Sequence, residues 1–378
     1  MRARFVFVVG AALAAPAVLA AQGSQAVYAR TNALTGFEWR AFNFDSGLSV
    51  SRASQWHIPI VAVAPLGRRF SVDVSASYVG SDLTTGTGPA AATESITGFT
   101  DTQVRFLYSV QRDRLATTLS FNLPTGQRSV STSQFAVSGA VGSNFLSFPV
   151  ATLGTAFGAT AGLAYAARAG AWNVGFAGSL RYSGSYEPFA DDSLSYSPGM
   201  EGRLRLGLDR LLGQRTRVLV GLTGSTFSTD EYSGVGSFVG ATWYKPGTRF
   251  IGDLALLHLV GRTTVVVAVW DYYRLAGDRP DTSAAATKEN VLNAELRVGF
   301  PVAARLQLEP TVAFRQYSPG DYRGGRLYSG GLTAHIALSD RLSGQLTGRL
   351  DRGWVYAEGR GSADLTGYGF SVLVRFQQ

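Results

Sequence analysis

The sequence predicts an all-β fold: a transmembrane antiparallel up-and-down β-barrel of about 14 strands, with a range of roughly 12 to 16. Three observations predict it: a composition poor in charge, long stretches of strict two-residue alternation, and connections that alternate between short and long. Charged residues make up 16% of the chain, against about 25% in ordinary soluble domains. Hydrophobic residues reach 46%, with 45 glycines, 22 phenylalanines and 16 tyrosines. Beyond the N-terminus no run approaches the roughly 20 apolar residues a membrane helix needs. Strands must then do the crossing, and only a closed sheet leaves no backbone N–H or C=O unpaired in lipid.

Residues 1–21 read as a secretory signal peptide. Arg2 and Arg4 supply the charged start, Phe5 to Leu19 the apolar stretch, and Val18-Leu19-Ala20 or Leu19-Ala20-Ala21 the small-residue cleavage site. The net charge is +8, of which Arg2 and Arg4 contribute two. Residues 22–34 carry no periodicity and are expected to be a tail, a plug segment or a first strand; the barrel is expected over 35–378.

Alternation is clearest at the C-terminus. There Tyr368, Phe370, Val372, Val374 and Phe376 fall on one face and Gly367, Gly369, Ser371, Leu373 and Arg375 on the other. The pattern recurs from Phe70 to Tyr78, Gln103 to Val110, Leu115 to Leu123, Trp172 to Tyr182, Arg203 to Asp209, Leu292 to Phe300 and Leu342 to Tyr356. A helical period would scatter these residues over both faces. In a membrane barrel the apolar face meets hydrocarbon and the aromatic residues mark its two interfaces. The strand count depends on whether Thr35 to Phe44 and Leu48 to Ala64 both cross. Thr263 to Val269 is apolar on both faces and cannot be oriented, and Ser228 to Thr248 could hide a hairpin turning at Lys245-Pro246-Gly247.

Short turns are expected at Pro65 to Arg69, Gln111 to Arg114, Ala169 to Ala171, Gly213 to Thr216, Val260 to Arg262, Ala303 to Ala304 and Ser339 to Arg341. Longer polar segments lie between them: Asp82 to Thr97, Gln127 to Phe148, Ser185 to Pro198, Ser228 to Thr248, Ala276 to Glu289, Ser318 to Arg326 and Ala357 to Ser362. Short periplasmic turns alternating with long external loops are the habit of bacterial outer-membrane barrels.

Chemistry is sparse. The absence of cysteine excludes disulfides, thiol nucleophiles and cysteine metal sites. His57, His258 and His335 stand alone among strand residues, without the partner spacing of a metal or catalytic histidine. Neither a Gly-x-Ser-x-Gly elbow, a phosphate-binding glycine loop nor His-Glu-x-x-His occurs. No catalytic activity, cofactor or metal is expected. The arginines are spread along strands rather than clustered, which speaks against nucleic acid as a partner.

The candidate functional chemistry lies on the polar faces: Asp73, Arg105, Arg181, Arg203, Arg205, Asp209, Glu295, Arg297, Arg305, Glu309, Arg315, Arg349, Asp351 and Arg375. An arginine at the bilayer midplane costs about 2–4 kcal/mol, so these residues are expected to line a lumen. They either pair across strands and fill it, or leave an arginine excess that selects solutes by charge.

The order of motifs from Trp56 to Gln127 resembles a known family. It runs through Trp56-His57-Ile58-Pro59-Ile60, a turn at Leu66-Gly67-Arg68-Arg69, the strand Phe70 to Tyr78, and Gly98-Phe99-Thr100-Asp101. A strand ending in Tyr108 and Leu123-Pro124-Thr125-Gly126 follow. The stretch is similar to outer-membrane barrel proteins associated with meta-cleavage pathways of phenol degradation, although the family's Gly-Asp pair is split here by Phe99 and Thr100. The resemblance implies a barrel that takes up hydrophobic or aromatic compounds. The C-terminal strand, with Tyr368, Phe370 and Phe376, resembles the signal read by the barrel-assembly machinery, here followed by Gln377 and Gln378. The expectation is a monomer in the outer-membrane lipid, passing small, hydrophobic or aromatic solutes by diffusion. The second reading is a structural or surface-interaction barrel with a blocked lumen.

Overall fold

A computed structural model describes residues 31–45, 48–111, 114–234, 242–279, 287–320, 324–357 and 361–378. The expected leader over 1–21, and 22–30 of the expected tail, lie outside them. The first wall strands are β1 (Asn32–Phe44), β2 (Val50–Pro65), β3 (Phe70–Thr85), β4 (Ala92–Phe99), β5 (Thr102–Gln111) and β6 (Leu115–Leu123). After the helix α1 (Phe135–Val141) come β7 (Gly158–Ala169), β8 (Trp172–Ser183), β10 (Glu201–Leu212) and β11 (Thr216–Phe227). The wall continues with β14 (Arg249–Val260), β15 (Thr263–Arg274), β16 (Glu289–Ala303), β17 (Leu306–Pro319), β18 (Gly325–Ala337), β19 (Leu342–Ala357) and β20 (Gly361–Gln377). Short strands β9 (Ser195–Ser197), β12 (Asp230–Ser233) and β13 (Trp243–Tyr244) form a separate small sheet.

Each wall strand pairs antiparallel with its neighbours, and β20 returns to β1 from Asn32↔Gln377 to Phe44↔Leu365, which closes the ring. Among the described residues the wall has sixteen strands, one of them in two pieces. This corrects the expected 14: β1 and β2 both span, and β1 begins at Asn32, ahead of the expected start. The interrupted strand is β4 with β5. The far half of β3 pairs with β4 from Tyr78↔Phe99 to Thr85↔Ala92, and its near half with β5 from Phe70↔Tyr108 to Ser75↔Gln103. The expected loop from Asp82 to Thr97 shrinks to residues 86–91, turned by Gly86 and Gly88 at φ of 75° and 63°. Its Ser and Thr residues are polar on both faces, so alternation did not reveal the strands beneath them.

Registers sort the side chains cleanly. The outer face carries Leu204, Val312, Leu350 and Leu180, exposed at 72%, 63%, 63% and 61%. An aqueous protein does not leave such a band uncovered. Around Trp56 the outer face adds an aromatic chain of Phe37, Tyr78 and Phe99. A Cβ on Gly80 would sit 2.4 Å from the Trp56 ring, so only glycine lets the indole lie flat there. The short turns gather at one end with Asn32 and Gln377, and the long connections gather at the other. Closure, an apolar exterior and loops sorted by end place this barrel in the bacterial outer membrane, with the long connections outside the cell.

The stretch from Ser228 to Thr248 does hold a hairpin, made by β12 and β13, which pair at Asp230↔Tyr244 and Glu231↔Trp243. Lys245-Pro246-Gly247 follows β13 instead of turning it, and Lys245 bridges Asp278.

Candidate functional site

The largest departure from the sequence reading is the connection between β6 and β7, residues 124–157. Its stretch from Gln127 to Phe148 was expected as an external loop, but the connection folds into the barrel. Its apolar residues explain why: Val137 and Val141 on α1, then Phe145, Leu146, Phe148 and Leu153, are all buried. They meet Phe42 of β1, Ala53 of β2, Leu83 of β3, Ile96 of β4, Leu327 of β18 and Leu365 of β20. The protein's apolar core is therefore inside the ring, between this segment and one arc of wall. Burying such side chains stabilises by about 1.5–3 kcal/mol each.

Polar wall residues clasp the segment's backbone. Gln55 Nε2 donates to the Val150 carbonyl at 2.8 Å while its Oε1 accepts from the Val150 N–H at 2.9 Å. Arg40 donates to the Ser147 carbonyl at 2.8 Å, and Arg315 to the Phe145 carbonyl at 2.8 Å. Asn144 donates to Glu289 at 3.1 Å. Ser147 has φ of 52°, a left-handed backbone that a serine holds only when its surroundings enforce it. At the segment's root, where β4 breaks from β5, Asp101 accepts from the Gly126 N–H at 3.0 Å, the Thr155 N–H at 2.7 Å, and Asn122 at 2.6 Å. That carboxylate ties both ends of the segment to the wall.

Ten of the fourteen lumen candidates, Asp73, Arg105, Arg181, Arg203, Arg205, Asp209, Glu295, Arg297, Arg349 and Asp351, lie on the sheet face that the segment packs against. Most are paired along or across strands. Arg105 meets Asp73 at 2.7 Å, Arg217 meets Asp209 at 2.8 Å, and Arg297 meets Glu295 at 2.7 Å. Arg203 meets Glu201 at 2.6 Å and Arg205 meets Asp253 at 2.8 Å. Asp351 serves both Arg349, at 2.8 Å, and Arg40, at 3.3 Å, and accepts from Ser329. Glu309, Arg315 and Arg375 share this face, but Arg305 does not. It sits exposed in the turn between β16 and β17, where the strand pattern has already ended.

The pairs divide by exposure. Beneath the inserted segment the Arg40 and Asp351 side chains are 12% and 0% exposed; across the barrel Arg205 and Asp253 reach 40% and 34%, and Arg181 is exposed. Both groups face inward, so water reaches the inner wall along β8, β10, β11 and β14. Sequence reasoning missed Arg40, Gln55, Glu201, Arg217, Asp253 and Glu289. It also missed the inserted segment itself, whose density of Phe, Leu and Val is unusual for a connection in water and was the available signal.

The external sheet is held by aromatic packing. Tyr196 stacks on Tyr232 at 5.1 Å, meets Tyr186 edge-on at 5.6 Å, and donates its hydroxyl to Asp230 at 2.7 Å. Burial, then the bond to Asp230, raises the Tyr196 pKa and keeps that donor protonated; burial likewise raises Tyr232 to about 12. The three histidines stay apart. His57 and His335 face inward on β2 and β18, and His258 sits on β14 at 2.8 Å from the Thr216 hydroxyl. Among the described residues no cluster of His, Cys, Asp or Glu is placed to hold a metal ion.

No family model matches the chain, and no curated protein matches it by sequence. Solved outer-membrane proteins resemble it at low identity. A loop-deletion form of OmpT from Vibrio cholerae is 10% identical, covers 93% of this chain and 100% of its own, and superimposes with a TM-score of 0.45. A Pseudomonas aeruginosa FadL homologue is 9% identical over 92% of this chain and 90% of its own, at 0.45. An anion-selective porin from Comamonas acidovorans is 13% identical over 92% and 98%, at 0.43.

Proposed function

We propose that the protein is a passive outer-membrane channel for small solutes, with hydrophobic and aromatic compounds as its class. What carries the channel reading is the uneven filling of the ring. One arc of the interior is packed by residues 124–157, while the facing arc keeps an ion-paired wall in contact with water at Arg205, Asp253 and Arg181. Paired charges in such a wall hold water without trapping an ion. The solute class rests on the resemblance of the Trp56 to Gln127 stretch. Conductance in planar bilayers tests the channel, and swelling of liposomes in phenol-class solutes against sugars of equal size tests the class. Discrete conductance steps with faster phenol entry are expected. Silent bilayers at every voltage sink the channel reading and favour the blocked barrel, for which the tight packing of the inserted segment speaks. Replacing Arg203 and Arg205 by Ser leaves Glu201 and Asp253 unpaired and should shift the permeability ratio toward cations by severalfold.

A further inference from the structure

Strands β18, β19 and β20 present an outer face with an unusual division. Leu332, Leu346, Leu350, Phe370 and Val372 make it apolar through the middle and toward the turn end. Its charges, Arg326, Arg352 and Asp364, gather near the loop end. Arg326 opposes Trp354 and Arg352 opposes Tyr328, so the two guanidiniums are diagonal neighbours beside aromatic residues of the membrane interface. Both arginines are exposed, Arg352 at 73%. Its contact with Asp364 is a loose 3.8 Å, and Arg326 has no ion pair among the described residues.

Below them the wall is notched. Gly330 and Gly348 lack side chains where their neighbours project outward, and a Cβ on either would meet nothing within 4 Å. The notch, about 530 Å³, is bordered by Leu332, Leu350 and Tyr368. From Arg352 to Gly348 is four residues of strand, about 13 Å. On strands tilted by about 35–45° that is a descent of about 10 Å, within the outer half of the roughly 25 Å apolar band of such barrels, a depth reached by an acyl chain whose headgroup lies at the outer interface.

We propose that this face is a binding site for a phosphate-bearing glycolipid of the outer leaflet, its phosphate on Arg326 and Arg352 and one acyl chain lying over Leu350 and Tyr368 into the Gly330–Gly348 notch. Guanidinium forks suit phosphate oxygens in geometry as well as charge. An acyl chain fills a smooth notch between leucines without asking for a hydrogen bond. Asp364 competes with the phosphate and holds the affinity down.

Native mass spectrometry of the full delipidated barrel, titrated with bis-phosphorylated lipid A, reads the site. Dephosphorylated lipid A and phosphatidylglycerol serve as comparisons. One bis-phosphorylated molecule should be retained, at least about tenfold more tightly than the dephosphorylated form. Arg326→Ala with Arg352→Ala should remove that preference, and Gly348→Leu should weaken retention of both forms of lipid A. Asp364→Asn should tighten binding of the phosphorylated form alone. Heat-shifted mobility in gels reports that each variant is folded, and Arg326→Ala alone keeps the test if the double variant does not fold. Equal retention of both forms, equal retention of phosphatidylglycerol, unchanged binding by the arginine variants, or a second copy of the chain covering the face would each overturn the proposal.

Discussion

Asp101 illustrates how much one side chain carries here. It sits at the break between β4 and β5, 9% exposed, and collects backbone and side-chain donors from Gly126, Thr155 and Asn122. Removing a buried acceptor strands its donors, at about 1–3 kcal/mol for each one that water cannot reach. Asp101→Ala should therefore destabilise the folded barrel by about 3 kcal/mol, read from urea unfolding in detergent, and an unchanged midpoint would show that water replaces the carboxylate. Asp191 behaves differently because it is exposed. The Thr132 N–H at 3.0 Å and its hydroxyl at 2.8 Å hold this carboxylate below its ordinary pKa. A depressed folded pKa means the tie is fully present above the unfolded value of about 3.9 and is lost as pH falls through the lower folded value. Protection of the Thr132 amide, its exchange rate measured against the intrinsic rate at the same pH, should fall over that acidic window in the wild type. In Asp191→Ala that protection should be missing already at neutral pH, and a pH-independent wild-type protection would remove the assignment.

Among the elements, the inserted segment is the part whose removal should be most visible. Gln55, Arg40 and Arg315 hold its backbone, and its apolar side chains form the interior core. Replacing residues 132–150 by a short Gly-Ser linker should leave a closed ring, since the wall hydrogen bonds do not pass through it, and should raise single-channel conductance severalfold. An unchanged conductance would mean that the segment does not border the solute path. How legible each element was follows from its surroundings. Strands β10 and β20 were readable because Arg203, Arg205, Gly207 and Asp209, and Gly367, Gly369 and Ser371, face inward while Leu204, Leu206 and Leu208, and Phe370, Val372 and Val374, face outward. β15 was not, because Val266 and Ala268 face inward, beside the paired Arg297 and Glu295 of β16, while the equally apolar Val267 and Val269 face outward. The candidates other than Arg305 could be assigned to one face from alternation alone. Their partners could not, since Arg205–Asp253 joins β10 to β14 across β11, and Arg40–Asp351 joins strands 311 positions apart. Register and closure supply those contacts, and neither is written in a local pattern.

At the scale of the whole molecule, the solvent on each side of the wall is the controlling variable. Leu204 projects outward at 72% exposure, one position from the inward Arg203, while Ser179 projects inward directly opposite Arg203. Arginine introduced at Leu204 must sit in hydrocarbon, at about 2–4 kcal/mol near the midplane and less toward either interface. At Ser179 the same arginine meets water and the carboxylate of Glu201, with only repulsion from Arg203 and Arg181 against it. Leu204→Arg should therefore lose about 2–4 kcal/mol of folding stability in lipid vesicles, and Ser179→Arg well under half of that. Assembly offers an independent reading of the same polarity. Tyr368, Phe370 and Phe376 project outward from β20, the strand that closes the ring on β1, where insertion machinery could reach them before closure. Deleting Phe376 should reduce delivery to the outer membrane in cells while leaving refolding into vesicles close to normal, because the lost contact serves recognition more than packing. The two assays separate the causes. Equal costs for arginine on both faces would mean that the outward side chains do not meet hydrocarbon, whereas normal delivery without Phe376 would move the assembly signal elsewhere and leave the membrane argument standing.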